Sequence, residues 1–479
     1  MKEAYIVIDI GTGNVRVIVV QPDGTVLGEA RDDIQYVRDT LYPDAIYFEP
    51  DSLWQQIVGL GKQALQQAGK VHIKAMTGTS QREGIVLLSK EGRSIVGLPN
   101  IDHRGREWES IIKDKSRVYQ LTGRYPTSLF SALKLVGVRE RRKEWWEACS
   151  TFVSISDWVE HQLSGVIKYE PSQASETLLF DVARNTWSDE LLQVFQLDKK
   201  ILPPVISSAT ALGKIVPQQA ALWGITADAQ IITGGGDTQL AIKSTMPTIQ
   251  DMVIVSGTTT PVVKLVDRYI TDPEERTWTN RHVVNNEFVF EANAGVTGLN
   301  YQRLRQIFYP NESYEVIEQE LAQHKNSGVR ASLGSLIAGE KQSLLQGGFV
   351  FPAPVSHELR RSCFVWATMI DIGFSIAANY DLLRKIAGHD PDYVWACGGG
   401  LQSKTLRQIL AGCIGKKVQV RAGYRQSSAV GGALICNEAL GVRENLLNKD
   451  IETELPGDHQ YYAELYTQWK QTRDFFRNL

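Results

Sequence analysis

The five cysteines, Cys149, Cys363, Cys397, Cys413 and Cys436, stand apart from one another, and no two have the CxxC spacing of a zinc knuckle or a redox pair. Buried, reduced thiols are the reading that remains. The eight histidines include no HExxH, and His357-Glu358 lacks the second histidine that such a zinc site requires. No structural metal is expected. A surplus of one charge is missing too: a formal net charge of −3 offers no basic face to a nucleic-acid backbone, so no nucleic-acid partner is expected. At the start of the chain, MKEAYIVIDIGTG has its apolar run broken by Asp9. That pattern is neither a leader peptide nor a membrane span, and it predicts a cytoplasmic protein without a membrane partner.

What is present is the material of a large globular protein. A chain of 479 residues exceeds the ~250–300 at which single cores stop growing. Two domains of similar size are expected, at residues 1–243 and 244–479. Hydrophobic residues make up 43% and charged residues 22%, which leaves no disordered tract to argue for. Residues Ala4–Val20 read as a strand, a Gly-Thr-Gly turn and a second strand. Residues Asp251–Val266 repeat the plan with Ser256-Gly257-Thr258-Thr259 at the tip, about half a chain later. A helix over Leu53–Ala68 capped by Asp51-Ser52, a helical tract over Ser128–Trp146, and ISDWVEHQLSG closed by Gly165 fill the first half. Strands alternating with helices, twice over, predict an α/β protein of two duplicated halves with a cleft between them.

The stretch Ile231–Ile242, IITGGGDTQLAI, stands at the centre of this pattern. Its glycines would let backbone approach a ligand and turn a strand into a helix, with Asp237 at the mouth of the turn. Asp237 then reads either as a helix N-cap or as a catalytic carboxylate. The first hairpin tip, IDIGTGNVR, begins a GxG, yet Arg16 replaces the third glycine and a strand follows rather than a helix, against a dinucleotide-binding turn. A phosphate-binding hairpin fits better. Backbone amides of Gly11, Thr12, Gly13 and Asn14 would meet phosphate oxygens, the Thr12 hydroxyl would donate, and Arg16 would add charge. Asp9, just before, would hold Mg²⁺ through water. A plain β-hairpin with a solvent-facing arginine is the blander alternative.

IDIGTGNVR, GGGDTQLA, VSGTTTPV and ACGGGLQSKTLRQILA, in this order and at these separations, resemble the FGGY family of carbohydrate kinases. The likeness runs from about residue 4 to about residue 440, and YFEPDSLW, NIDHRG and SGVIKYEPSQASETLLFD join it. The resemblance implies two duplicated actin-like, ribonuclease-H-like domains with ATP and sugar bound between them, Mg²⁺ as the companion ion, and a homodimer. REGIVL, ISDW, GGGD-x-QL and the TDPE of Thr271–Glu274 are most similar to autoinducer-2 kinases, which implies a linear five-carbon acceptor or a pentulose.

By position in the family, Asp237 corresponds to the base that accepts the proton of the attacking hydroxyl. Arg82 and Glu83 correspond to residues that hold acceptor hydroxyls in glycerol kinases, where a donor and an acceptor are both needed; a surface salt bridge is their bland alternative. Gln81, Asp102 and Asp157 are further polar candidates for the acceptor, as is Thr238, which follows the base where glycerol kinases carry glutamine. Thr258 corresponds to a phosphate contact, Gly298 and Gln302 to the helix flanking ATP, and Gly399 and Ser403 to the adenosine turn. A plain tight strand-to-helix turn is the alternative for residues 398–400, against which their pairing with the other motifs favours nucleotide contact.

The sequence departs from the family near residue 350. FVFPAPVSHELRRS stands where many members carry Gly-Glu-Arg-x-Pro, and His357, Glu358, Arg360 and Arg361 do not reproduce it. A nucleotide-binding scaffold on the same fold, without sugar phosphorylation, is therefore the alternative to a kinase. Asp237 and the Arg82-Glu83 pair argue against it, because a scaffold needs no base facing a hydroxyl.

Overall fold

The computed structural model describes residues 2–323, 328–340, 342–389, 391–443 and 450–479. They form two compact units, one of Met1–Ser244, Val266–Val289 and Ser427–Asn448, the other of Thr245–Leu265, Phe290–Gln426 and Lys449–Leu479. The chain leaves the first unit at Ser244 and returns to it twice, an interleaving that a single cut at 243/244 does not describe.

The first unit is built on a six-stranded sheet in the order Ala211–Lys214, Gln230–Gly236, Val71–Ser80, Lys2–Ile10, Asn14–Val20, Val26–Asp33. The three central strands are parallel and the flanking ones antiparallel. Its faces follow from the two-residue period of a strand. Ala4, Ile6, Ile8 and Ile10, with Val15, Val17 and Val19, join one core cluster with the helix Pro50–Ala68 and Trp158. Tyr5, Val7, Ile18 and Val20 join a second cluster with Leu240, Ala429 and Ala433. Both faces are therefore covered by helices, which is why these strands are apolar almost throughout.

Helix starts and stops depart from expectation in two places. Pro50 takes the first position of Pro50–Ala68, with Glu49 as N-cap, so Asp51-Ser52 lie inside the helix rather than before it. The tract expected over Ser128–Trp146 is broken into Ser131–Arg141 and Lys143–Ala148, with Arg142 turned out of helical geometry between them. Ile155–Ser164 ends on Gly165 at a φ of 77°, as read from the sequence.

The second unit repeats the plan. The hairpin of Met252–Val255 and Pro261–Val266 is antiparallel, and Tyr393–Cys397 runs parallel beside it, followed by Lys417–Arg421 and the antiparallel Ile451–Glu454. Two α/β units built on the same hairpin-plus-parallel-strand scheme are the duplicated actin-like architecture that the sequence implied. The helix Arg361–Ala387 is long and apolar enough to cross a membrane, but its most apolar window is 89% buried inside the protein, as a core helix is.

Candidate active site

The first hairpin places Asp9 opposite Arg16 across the strand pair. Their side chains form a close ion pair, and the Ser428 hydroxyl, on the helix Ser427–Leu440, donates to the same Asp9 Oδ2 at 2.6 Å. Arg16 is thereby held more firmly protonated than a free guanidinium. The other oxygen of Asp9 takes no protein hydrogen bond among the described residues. At the tip, Asn100 Nδ2 donates to the Thr12 hydroxyl oxygen at 3.0 Å, and Tyr36 holds the Thr12 carbonyl. The Thr12 proton is left free to donate outward. Gly13 is exposed, and Thr12, Asn14 and Arg16 are half-buried.

An Mg²⁺ ion suits this corner of the first unit. No group of three His, Cys, Asp or Glu side chains fit to cage a metal occurs among the described residues. Asp9 instead offers one carboxylate with an uncommitted oxygen, the donor set suited to an ion that keeps its water and phosphate ligands.

Asp237 is the first residue of the helix Asp237–Ser244, directly after the strand Gln230–Gly236. Its Oδ1 accepts from the Thr238 amide at 2.6 Å and the Thr238 hydroxyl at 3.1 Å. One oxygen thus holds the adjacent Thr238, and the other takes no protein hydrogen bond among the described residues. Asp237 stands inside the helix as its first residue rather than before it as an N-cap. Burial raises the Asp237 pKa to about 6, the nearby Asp9 charge adds to the rise, and Arg82 opposes it.

The glycines before it work differently from expectation. Gly234, Gly235 and Gly236 have no left-handed φ. A Cβ on Gly234 would sit 1.9 Å from the Gly78 carbonyl oxygen. The glycines allow close strand approach, where the register between these strands slips between Ile232 and Gly235. The amides of Gly78 and Gly234 both donate to Glu160 Oε1, at 3.1 and 2.7 Å, which fills the gap in the ladder. Glu160 is fully buried and paired with Lys168, itself paired with Asp157.

Arg82 and Glu83 lie in the buried turn after Val71–Ser80, not on a solvated loop. Glu83 holds a left-handed φ of 63°, a costly conformation for a residue with a side chain and one that concentrates at functional sites. Arg82 lies 3.6 Å from Glu176, which also pairs closely with Arg124, and the Trp278 ring lies 4.3 Å below the Arg124 guanidinium and 5.9 Å from that of Arg82. Burial pushes the Glu83 carboxyl pKa up, and the Glu176 charge pushes it further. Arg124, Glu176 and Trp278 were not singled out in the sequence. Glu176 lies within SGVIKYEPSQASETLLFD, and Trp278 follows TDPE, but nothing in their local pattern marks them.

Three expected acceptor contacts are committed elsewhere. Gln81 Nε2 donates to the Gly11 carbonyl at 3.0 Å and its Oε1 accepts from the Asn100 amide at 2.9 Å, so it braces the hairpin tip. Asp102 is fully buried, accepting from the Ile46 amide and from Arg104. Asp157 accepts from Lys168, the Ser154 hydroxyl and the Glu170 amide. Both carboxylates have their oxygens filled by the fold.

In the second unit, Thr258 is exposed at the hairpin tip, where its carbonyl accepts from the Leu299 amide at 3.2 Å. A Cβ on Gly298 would lie 1.9 Å from the Gly257 carbonyl oxygen, and one on Gly398 would lie 2.3 Å from that of Ser256. The glycine-rich turn thus packs on the hairpin, and Gly399 is exposed beside it, as Gln302 is on the helix Thr297–Phe308. Ser403 is different: its hydroxyl donates to Glu318 and caps the helix Lys404–Ile414 through the Leu406 amide, and 3% of it is exposed. It serves as a cap rather than an open contact. In the departing stretch, 351–358 is exposed, and Arg361 is tied to Glu312 and Glu320.

Residues 4–243 match the N-terminal domain of the FGGY family of carbohydrate kinases, and residues 345–440 match its C-terminal domain. The chain is 49% identical over 478 residues to a proposed sugar kinase, YoaC, of Bacillus subtilis (strain 168), covering 99% of this chain and 98% of that protein. It is 25% identical over 499 residues to the autoinducer-2 kinase of Escherichia coli (strain K12), covering 98% of this chain and 94% of the relative. Among solved structures it resembles a ligand-bound xylulose kinase of Lactobacillus acidophilus, with a TM-score of 0.84 at 18% identity and 98% of each chain covered. A glycerol kinase of Plasmodium falciparum with ADP gives a TM-score of 0.84 at 16% identity and 99% of each chain covered.

Proposed function

Because the chain belongs to the FGGY family of carbohydrate kinases, we propose that it transfers the γ-phosphoryl group of ATP to a hydroxyl of a small sugar or polyol, with Asp237 as the base. The observation that carries this reading is Asp237 itself. It is held at a helix start with one oxygen uncommitted and its pKa raised to about 6, near the operating range of a general base. At neutral pH it is ionised and accepts the proton as the hydroxyl oxygen attacks phosphorus, while ADP departs with the bonding pair.

Arg82 and Glu83 supply a donor and a carboxyl for the acceptor's other hydroxyls, and Thr238 keeps the base oriented. Thr12, Gly13, Asn14 and Arg16 hold phosphate oxygens in the first unit. Thr258 does so in the second, where Gly298, Gln302 and Gly399 flank the nucleotide. Mg²⁺, held through water by Asp9, supplies neutralisation of phosphate charge when bound. The acceptor is a linear five-carbon compound of the autoinducer-2 kind or a pentulose, a reading that the named relatives support.

The test is ADP release with Mg-ATP across pentuloses, pentitols, glycerol, gluconate and the linear autoinducer-2 precursor, with Asp237→Ala as the blank. Turnover on one compound that the substitution abolishes is expected. Equal turnover by both proteins would remove Asp237 from the chemistry.

A further inference from the structure

The short strand Trp278–Arg281 belongs wholly to the first unit. Side chains two apart on a strand share a face, so Asn280 shares the face of Trp278, whose ring lies under Arg124 and near Arg82. Arg281 points the other way, its guanidinium donating to the Val182 and Ala183 carbonyls at 2.7 Å each. Its amide donates to Ser175, the neighbour of Glu176. Asn280 is fully buried, and among the described residues neither its Oδ1 nor its Nδ2 has a hydrogen-bond partner.

Gln239 stands in the same condition. It too is fully buried with both amide atoms unpartnered. A Cβ on Gly236 would lie 2.4 Å from its Oε1 and 3.6 Å from the Arg82 side chain, so this amide lies over the residue before Asp237 and beside Arg82. A buried polar group left without a partner costs about 1–3 kcal/mol, and two whole amides stand in this condition, Gln239 beside Arg82 and Asn280 on the strand face of Trp278, whose ring lies near Arg82. Idle core positions would be filled more stably by leucine or methionine.

We infer that Asn280, assisted by Gln239, is a specificity-determining residue that binds a hydroxyl of the acceptor other than the one phosphorylated. This rests on the kinase reading above and deepens it. A carboxamide offers two donors and one acceptor. A hydroxyl both gives and accepts, so it completes the amide, whereas a carboxylate leaves Oδ1 unfilled and a deoxy carbon leaves everything unfilled. The acceptor is therefore a neutral ketose or polyol whose binding depends on a second hydroxyl.

The experiment compares wild type with Asn280→Leu, near in size and unable to hydrogen-bond, using whichever pentulose or pentitol is turned over and its singly deoxygenated analogues. Acceptor KM is expected to rise about 10–100-fold, with the KM for ATP unchanged and the melting temperature unchanged or higher. Discrimination against one deoxy analogue should shrink by the same factor. An unchanged acceptor KM with unchanged discrimination overturns the inference alone, and a lowered melting temperature with unchanged KM does so too. Wild-type silence on every compound overturns the kinase reading and the inference together. Should the leucine variant fail to fold, Asn280→Ser decides by the same two ratios.

Discussion

The hydroxyl of Ser428 donates to the Asp9 carboxylate at 2.6 Å although 419 positions separate them in the chain. The bond ties the start of the helix Ser427–Leu440 to the strand Lys2–Ile10, within one unit. Because Ser428 and Arg16 converge on the same oxygen, they fix which oxygen of Asp9 stays uncommitted. Ser428→Ala should leave the ion pair in place but loosen the carboxylate. We expect a rise of roughly 3–10-fold in the KM for Mg-ATP, the acceptor KM unchanged and about 1 kcal/mol of stability lost. Steady-state kinetics at varied Mg²⁺ measures it, and Mg-ATP kinetics identical to wild type would rule out this role.

Asp237→Asn keeps the contact with Thr238, since the amide oxygen can still accept, but it removes the proposed base. The expected loss in kcat is about 10²–10⁴-fold, with ATP binding retained in titration calorimetry. Loss of nucleotide binding in step with turnover would show that the residue acts structurally.

If Asp237 is the base, its raised pKa should set the acid limb of the activity profile. A carboxyl whose pKa is lifted to about 6 takes up its proton as pH falls through that value, and the protonated form cannot act as base. The acceptor kcat/KM should therefore fall about tenfold per pH unit below 6. The limb should vanish in the residual activity of Asp237→Asn; a limb centred near 4 in the wild type would instead mean that the carboxylate is solvated and unperturbed.

Local chemistry made part of the candidate site legible and tertiary chemistry hid the rest. Asp9, Thr12, Arg16 and Asp237 stand out in the sequence because a hairpin and a strand-to-helix turn fix them within a few residues of their own backbone. Glu176 could not, because its meaning comes from Arg124, 52 residues away, and from Arg82. Gln81, Asp102, Asp157 and Ser403 show the opposite failure. Each has a side chain suited to a ligand, and only the fold reveals that the backbone or a buried ion pair has taken it. The glycines at 234–236 were read as giving room to a ligand, and what crowds them is the protein itself: the Gly78 carbonyl at Gly234, Val283 at Gly235 and Gln239 at Gly236.

Glu160 tests whether this spacing matters. Its carboxylate receives the amides of Gly78 and Gly234, the strands that lead to Arg82 and to Asp237, and its charge is balanced by Lys168. Glu160→Gln retains an acceptor for both amides, whereas Glu160→Leu leaves them unpaired and breaks a buried pair, at about 3–5 kcal/mol. The leucine variant should melt far earlier than the glutamine variant. Equal melting temperatures would mean that the charge on Glu160, not its bridge between strands, is what the fold needs.

Gly234→Ala isolates the geometry without removing any polar group. The added Cβ would meet the Gly78 carbonyl oxygen at 1.9 Å, a contact that only separation of the two strands can relieve. Both partners are backbone, so no side-chain rotation absorbs the overlap, and a penalty of at least 1–3 kcal/mol, roughly that of an overpacked core, is expected. The displacement falls three residues before Asp237, so the base should move relative to Arg82 and Glu83. In protein that remains folded at low temperature, kcat should drop about 10²-fold or more, as ångström-scale misplacement of reacting groups does, while the KM for ATP stays within a few-fold of wild type. A folded variant with full kcat would show that the alignment of Asp237 is set by its own helix rather than by the strand that delivers it.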